Sequence, residues 1–171
     1  MKASEVKSGD YNPYYKTYVD LIGDLPLLPQ LEKQLENFPK FMASIPEEKW
    51  RYAYAEGKWT VLEALQHVVD TERVFQYRAL RFSRGDETPL MGFDQDVFVP
   101  FSGANEKSIA EITEEYITVR KSTLSLFRFF DKETLMRKGI ASGSPMSVGA
   151  IGFILSGHQR HHRDVIRERY L

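Results

Sequence analysis

Apolar side chains recur every three or four residues in four long stretches of the chain. This period places them on one face of an α-helix, and no stretch shows the two-residue alternation of a half-buried strand. The helices are predicted over residues 27–45, 60–84, 108–130 and 148–170. Four amphipathic helices without strands indicate an all-α protein, and a four-helix bundle is the arrangement that buries all four apolar faces.

The segments between the predicted helices carry proline and glycine, which interrupt helices. We expect residues 8–26 to form a short ordered strap on the bundle and residues 139–147 to form a break rich in Gly and Ser. Residues 85–106 are long enough for a crossover between the second and third helices. Within them, residues 92–99 mix carboxylates with aromatic side chains. This segment is interpreted either as a cap over a pocket or as a loop whose two phenylalanines are buried on the bundle.

The composition is that of an ordinary globular protein, with 42% hydrophobic and 27% charged residues. The length of 171 residues fits one domain, which we place over residues 1–171. Lys and Arg number 23 against 24 Asp and Glu, so the net charge of −1 offers no basic surface for nucleic acid. No apolar run approaches the ~18 residues of a membrane span, and no apolar stretch follows the N-terminal charges. We therefore expect a cytoplasmic protein with no membrane partner.

Cysteine is absent from the sequence. Its absence excludes disulfides, thiolate metal ligands and a cysteine nucleophile. Any thiol chemistry would need a thiol from outside the chain.

The four histidines are concentrated in two segments. His67 lies in the second predicted helix, and the other three fall within residues 157–162. His158 and His162 are four residues apart, so they project from one face of the last helix as two ligands of one metal ion would. With His67 they would form a three-imidazole site that leaves a coordination position open, as in catalytic zinc sites.

The residues alone leave this assignment open. A histidine on an apolar helix face is often a hydrogen-bonded core residue. His67 also lies off the main apolar stripe of its helix, so the period does not show that it meets the last helix, and His161 competes as a ligand. Gln159 stands where zinc proteases of the HExxH type have a glutamate general base, which argues against such a protease.

Two carboxylates of the second predicted helix are candidates for a supporting role. Glu72 lies on the apolar stripe, and Asp70 lies three residues after His67. Either could orient a ligand imidazole or accept a proton during catalysis, and we place Glu72 first for the catalytic role. The alternative is that both form ordinary ion pairs with arginines.

Two parts of the sequence resemble a known family. Residues 58–67 (KWTVLEALQH) and 70–73 (DTER) are similar to the second helix of the DinB superfamily, and Gly157-His158 with His161-His162 is similar to its closing motif. The resemblance implies a four-helix bundle with up-down-down-up topology, often dimeric. It also implies a divalent metal, typically nickel or zinc, held by His67, His158 and His162.

The same resemblance implies a class of reaction. The family includes metal-dependent transferases of low-molecular-weight thiols, so the first hypothesis is a transferase that moves such a thiol onto an electrophilic small molecule. A metal-dependent hydrolase with the same three ligands is the alternative. A non-catalytic dimeric bundle with a structural metal or a small-molecule binding role is a further one.

Overall fold

Four long helices make up the body of the protein in the computed structural model, which describes all residues from 1 to 171. The α-helices in chain order are α1 (Lys16–Asp20), α2 (Leu27–Ala43), α3 (Val61–Ser83), α4 (Gln95–Phe101), α5 (Ile109–Phe127), α6 (Lys132–Met136) and α7 (Val148–Arg169). The long helices α2, α3, α5 and α7 correspond to the four predicted ones. None of the helices has the length and apolar character that a bilayer crossing requires.

The start of α3 is fixed by its own sequence. The Thr60 hydroxyl accepts a hydrogen bond from the Glu63 backbone N–H at 3.2 Å, and the Glu63 carboxylate accepts one from the Thr60 N–H at 2.7 Å. This reciprocal pair satisfies two N–H groups that the first helical turn leaves free. The sequence signal for a helix start at this position is therefore confirmed.

The hydrophobic core lies in two clusters along the bundle. In the first cluster, the N-terminal halves of α2 and α7 pack against the C-terminal halves of α3 and α5. Members of this cluster include Leu31, Phe82, Phe127 and Ile151. In the second, the opposite halves meet; its members include Phe38, Leu65, Ile112 and Ile166. Hence α2 and α7 run in one direction, and α3 and α5 run in the other. Each of α2 and α3 packs against both α5 and α7.

A two-stranded hairpin corrects the expectation that the chain has no strands. Strands β1 (Lys138–Ala141) and β2 (Ser144–Ser147) pair in antiparallel fashion where the sequence predicted only a break. Ser142 and Gly143 connect them with positive φ angles of 52° and 74°, as a two-residue hairpin turn requires. Strands of four residues are too short to show a period in the sequence.

The long link between α3 and α5 is partly helical. It contains α4, and Leu90 pairs with Ala141 beside the hairpin. The Phe93 ring packs against the first core cluster, whereas the Phe98 side chain remains 45% exposed. The third predicted helix is three residues too long, because α5 ends at Phe127 and Asp131 then caps the separate helix α6.

The strap before α2 contains α1, which packs closely on α7. A Cβ atom at Gly157 would overlap the backbone carbonyl of Tyr18. Only glycine permits this approach of two backbones. The contact places the Tyr18 ring against the middle of α7.

Candidate metal centre

Three imidazoles from two helices converge inside the bundle. His67 of α3 places its Nε2 atom 3.0 Å from the Nε2 atom of His158 of α7. The His162 Nε2 atom lies 3.1 Å from the same His158 atom. The three potential ligand atoms all lie within 4.8 Å of one another, and no carboxylate joins the group.

The helix packing explains how His67 reaches this position. Because α3 packs against both α5 and α7, it has two buried faces. The apolar stripe seen in the sequence belongs to one of them, and His67 lies on the face toward α7. His158 and His162 are one turn apart on α7, so both rings face His67.

Burial keeps these histidines neutral. His67 is 4% exposed and His158 is 6% exposed. Loss of hydration lowers the pKa of His67 to about 4, and a smaller contribution comes from the nearby His161. The pKa values of His158 and His162 are also lowered well below the ordinary value, first by burial and then by the neighbouring imidazoles. At neutral pH, each ring therefore has a free lone pair for a metal ion.

Further contacts orient the rings. The Nδ1 atom of His67 lies 3.4 Å from the Thr71 hydroxyl, one turn further along α3. In the tautomer with its hydrogen on Nδ1, His67 donates to this hydroxyl, and the lone pair of Nε2, which faces the other two rings, is free. The Tyr18 ring meets the His158 ring edge-on at 5.3 Å, and the Trp59 ring lies 4.8 Å from the His67 ring. Aromatic side chains thus shield the cluster on two sides.

Two clefts open beside the cluster. The larger has a volume of about 710 Å³ and is lined by aromatic side chains of the strap and the link, with His158 at one end. The smaller has a volume of about 460 Å³ and reaches His162 beside Trp59. Gln95 and Asp96 of α4 line both clefts. The link thus borders the clefts, as the cap interpretation required, while Phe93 is packed on the core.

The sequence model of the DinB superfamily matches residues 30–166 of the chain. The chain belongs to the DinB superfamily. The resemblance found in the sequence motifs is confirmed.

A solved structure agrees with this assignment. YfiT from Bacillus subtilis, described as a probable metal-dependent hydrolase with an unusual four-helix bundle topology, is similar to this DinB chain with a TM-score of 0.75. The match covers 94% of this chain and 92% of YfiT at 15% sequence identity, which shows the shared fold alone. No protein of curated function matches this chain.

His161 lies outside the group of three. Its ring contacts the rings of Tyr18 and His162 at 5.4 and 5.1 Å. Partial burial lowers its pKa, against an opposing effect of Asp164 and Glu168. The structure therefore brings together His67, His158 and His162, and leaves His161 at the edge of the smaller cleft.

Glu72 lies in a different environment from the one that a catalytic role needs. Its two carboxylate oxygens accept hydrogen bonds of 2.7 and 2.8 Å from the buried guanidinium of Arg120. No hydrogen bond connects Glu72 with a histidine of this DinB chain, and Asp70 pairs with Arg73 at 3.3 Å. Both carboxylates thus form ion pairs with arginines. The catalytic role of Glu72 stays a prediction that this geometry does not favour.

The sequence analysis missed part of the cleft wall. Tyr15 and Tyr18 of the strap and Ser142 of the hairpin turn all line the larger cleft. The three tyrosines within residues 14–18 were a signal for an ordered strap, but no local pattern shows which helix a strap covers. Ser142 reaches the cleft only through the hairpin, whose strands the sequence did not predict.

Proposed function

We propose that this DinB-superfamily protein is an enzyme that depends on a divalent metal held by His67, His158 and His162. The observation that carries the proposal is the convergence of three neutral imidazoles on one point beside two clefts. Imidazole nitrogens suit zinc and nickel, which are the ions we propose. Three protein ligands leave at least one coordination position for a substrate.

The reaction that we propose first is transfer of a low-molecular-weight thiol to an electrophilic small molecule. A divalent ion at this site would lower the pKa of a bound thiol, so that the nucleophile is present at neutral pH. The chain has no cysteine that could compete for the electrophile or the metal. No carboxylate lies within the histidine group to act as a base, and a thiol with a lowered pKa needs none.

The residues around the histidines have roles that follow from their positions. Thr71 holds the His67 ring in its orientation through the 3.4 Å contact with Nδ1. Tyr18 and Trp59 exclude water from two sides of the cluster. The aromatic wall of the larger cleft would bind the organic part of a substrate, since its volume of about 710 Å³ is in the range of small-molecule sites.

A metal-dependent hydrolase is the second candidate. The description of YfiT as a probable metal-dependent hydrolase favours it, and the same three imidazoles would serve to activate water.

The directions of the four long helices support the up-down-down-up topology that the family resemblance implies. We also propose that the protein is a homodimer and that it is located in the cytoplasm. The elution volume in size-exclusion chromatography tests the homodimer.

Metal content is the first test of the proposal. The wild-type protein, purified without chelator or a metal-affinity column, is compared by elemental analysis with His67→Ala and with His161→Ala as the matched control. We expect about one divalent ion per chain in the wild type and in His161→Ala, and none in His67→Ala. Absence of metal from the wild type after reconstitution would overturn the proposal.

The reaction is tested with one electrophile that either a thiol or water can attack. A thiol-reactive chlorinated aromatic is incubated with the metal-loaded protein in the presence and absence of a small thiol. Consumption of the thiol that depends on His158 supports the transferase. Turnover that is independent of thiol overturns it in favour of the hydrolase.

A further inference from the structure

Arg78 of α3 is a buried cation without an acidic partner. Its side chain is 2% exposed, and the titratable group that acts on it is the phenol of Tyr15, not a carboxylate. Its Nη1 atom is buried and has no hydrogen-bond acceptor. A charge in this state carries a desolvation cost that no counter-charge offsets.

The neighbours of Arg78 belong to the wall of the larger cleft. Its Nη2 atom donates hydrogen bonds to the Met91 carbonyl at 3.2 Å and to the Ser142 hydroxyl at 2.9 Å. The guanidinium also lies over the Phe75 ring, 4.8 Å from its centre. Met91, Ser142 and Phe75 all line the cleft that has His158 at its other end. The cation thus lies directly behind the cleft wall, at a distance from the histidines.

The charges along the cleft are uneven. No lysine or arginine is among its lining residues, whereas Asp94 and Asp96 of the link line it and are exposed to solvent. Asp96 also lines the smaller cleft beside His162, which places it toward the histidine end. Since no lysine or arginine lines the cleft, the guanidinium behind its wall is the group that would attract the anionic end of a ligand.

We propose that Arg78 binds the carboxylate of a small organic ligand whose apolar part lies along the aromatic wall of the larger cleft. One guanidinium balances one negative charge and matches the two oxygens of a carboxylate. Arg78 follows His67 by eleven positions on α3, which is roughly 16 Å along the helix axis. This separation indicates a ligand of several bonds between its carboxylate and its reacting group.

Access to the guanidinium requires movement of one part of the wall. The Met91 side chain is 89% exposed, so its displacement uncovers little apolar surface, while the neighbouring Leu90 stays hydrogen-bonded to the hairpin. This movement breaks the hydrogen bond from Nη2 to the Met91 carbonyl. A carboxylate would replace it, since it can accept hydrogen bonds from Nη2 and from the N–H groups of Nη1 that have no acceptor. The identity of the reacting end rests on the proposed function, but binding of the carboxylate does not.

The test uses chelator-treated protein, so that it is independent of the metal. The probe is 4-phenylbutyrate, compared by calorimetric titration with its neutral amide, 4-phenylbutyramide. We expect the amide to bind at least about tenfold more weakly than the carboxylate, because hydrogen bonds to charged groups are the stronger ones. Arg78→Gln should abolish this difference. Arg84→Gln, which removes an exposed arginine of the same region that lines neither cleft, should retain it.

Several outcomes would overturn the proposal. Equal affinity of the wild type for carboxylate and amide would do so, and so would an unchanged preference in a folded Arg78→Gln protein. Tighter binding of phenyl phosphate would contradict the choice of a carboxylate. If circular dichroism shows that Arg78→Gln is unfolded, backbone amide shifts of Gly92 and Ser142 in the wild type decide: they must respond to the carboxylate and not to the amide.

The two proposals fail in different ways. A carboxylate preference without metal binding leaves the Arg78 site standing and removes the metal-dependent reaction. Metal binding without a carboxylate preference does the opposite.

Discussion

Two buried polar groups lie five residues apart on α3, and they differ in how their atoms are satisfied. Glu72 shares both carboxylate oxygens with Arg120, which also donates to Gln34 at 2.9 Å. Gln34 in turn donates to the Ser156 carbonyl at 2.8 Å. In the histidine group, by contrast, His67 and His162 both direct Nε2 at the Nε2 atom of His158. Three such nitrogens cannot satisfy one another with the hydrogens that neutral rings carry.

The difference distinguishes a structural network from a binding site. Each charge in the network of Glu72 and Arg120 has its counter-charge within the protein, so the network ties α3 to α5 and α2. The three imidazoles share an excess of lone pairs, which a cation would satisfy. Burial alone therefore does not distinguish the candidate binding site from the structural network. The imidazole lone pairs that no donor satisfies distinguish it.

The largest expected effect is on stability when Glu72 is removed. Glu72→Ala leaves the Arg120 charge buried and unpaired, which should lower the free energy of unfolding by about 3–5 kcal/mol. Urea denaturation of metal-free protein measures this loss. Asp70→Ala is the matched control, since its partly exposed pair with Arg73 should contribute at most about 1 kcal/mol.

A double variant separates the unpaired charge from lost packing. Glu72→Leu combined with Arg120→Met removes both charges and keeps apolar volume, so it should recover most of the stability. A double variant as unstable as Glu72→Ala would show that the ion pair itself is required. Metal content in the double variant should equal that of the wild type, because neither residue contacts the histidines.

Acid should destabilise the metal-free protein through the histidine group. Above pH ~6.5 the imidazoles are neutral in both the folded and unfolded states. Below it the unfolded chain binds protons, while His67 in the folded state stays neutral until its pKa of about 4. The free energy of unfolding therefore decreases as the pH is lowered through this window, by about 3 kcal/mol for His67 alone. Urea denaturation with chelator at pH 7.5, 6.5, 5.5 and 4.5 measures the decline. His67→Gln should reduce the decline by the share of His67 and leave the share of His158 and His162. An equal decline in that variant would contradict the assignment.

Addition of metal should raise the stability of the folded protein, because the ion binds the free lone pairs of the three imidazoles. Zinc at a free concentration one hundred times its dissociation constant should raise the free energy of unfolding by about 2.7 kcal/mol. The measurement is denaturation with and without zinc in the wild type, in His162→Ala and in His161→Ala. The zinc effect should disappear in His162→Ala and persist in His161→Ala. Equal stabilisation of both variants would place the metal elsewhere.

The sequence predicted features that depend on local pattern. The long helices and the cap at Thr60 were predictable because amphipathic period and capping are properties of neighbouring residues. The partner of Glu72 was not, since Arg120 is 48 positions away on another helix. Likewise, the position of His67 follows from burial of α3 on two faces, and a single apolar stripe cannot show the second face. The hairpin from Lys138 to Ser147 was missed because its strands are too short for a period.

The smallest expected effect concerns the wall that covers the histidines. Gly157→Ala places a methyl group against the Tyr18 carbonyl, so α1 must move away from α7. We expect a loss of about 1–3 kcal/mol from this overpacking, together with weaker zinc binding as the Tyr18 ring leaves His158 open to water. Gly23→Ala, where an added methyl group meets no atom within 4 Å, is the control. Denaturation and zinc titration of both variants separate the two possibilities: weakened zinc binding in Gly157→Ala alone makes the strap part of the site, whereas an effect on stability without one on zinc limits it to packing.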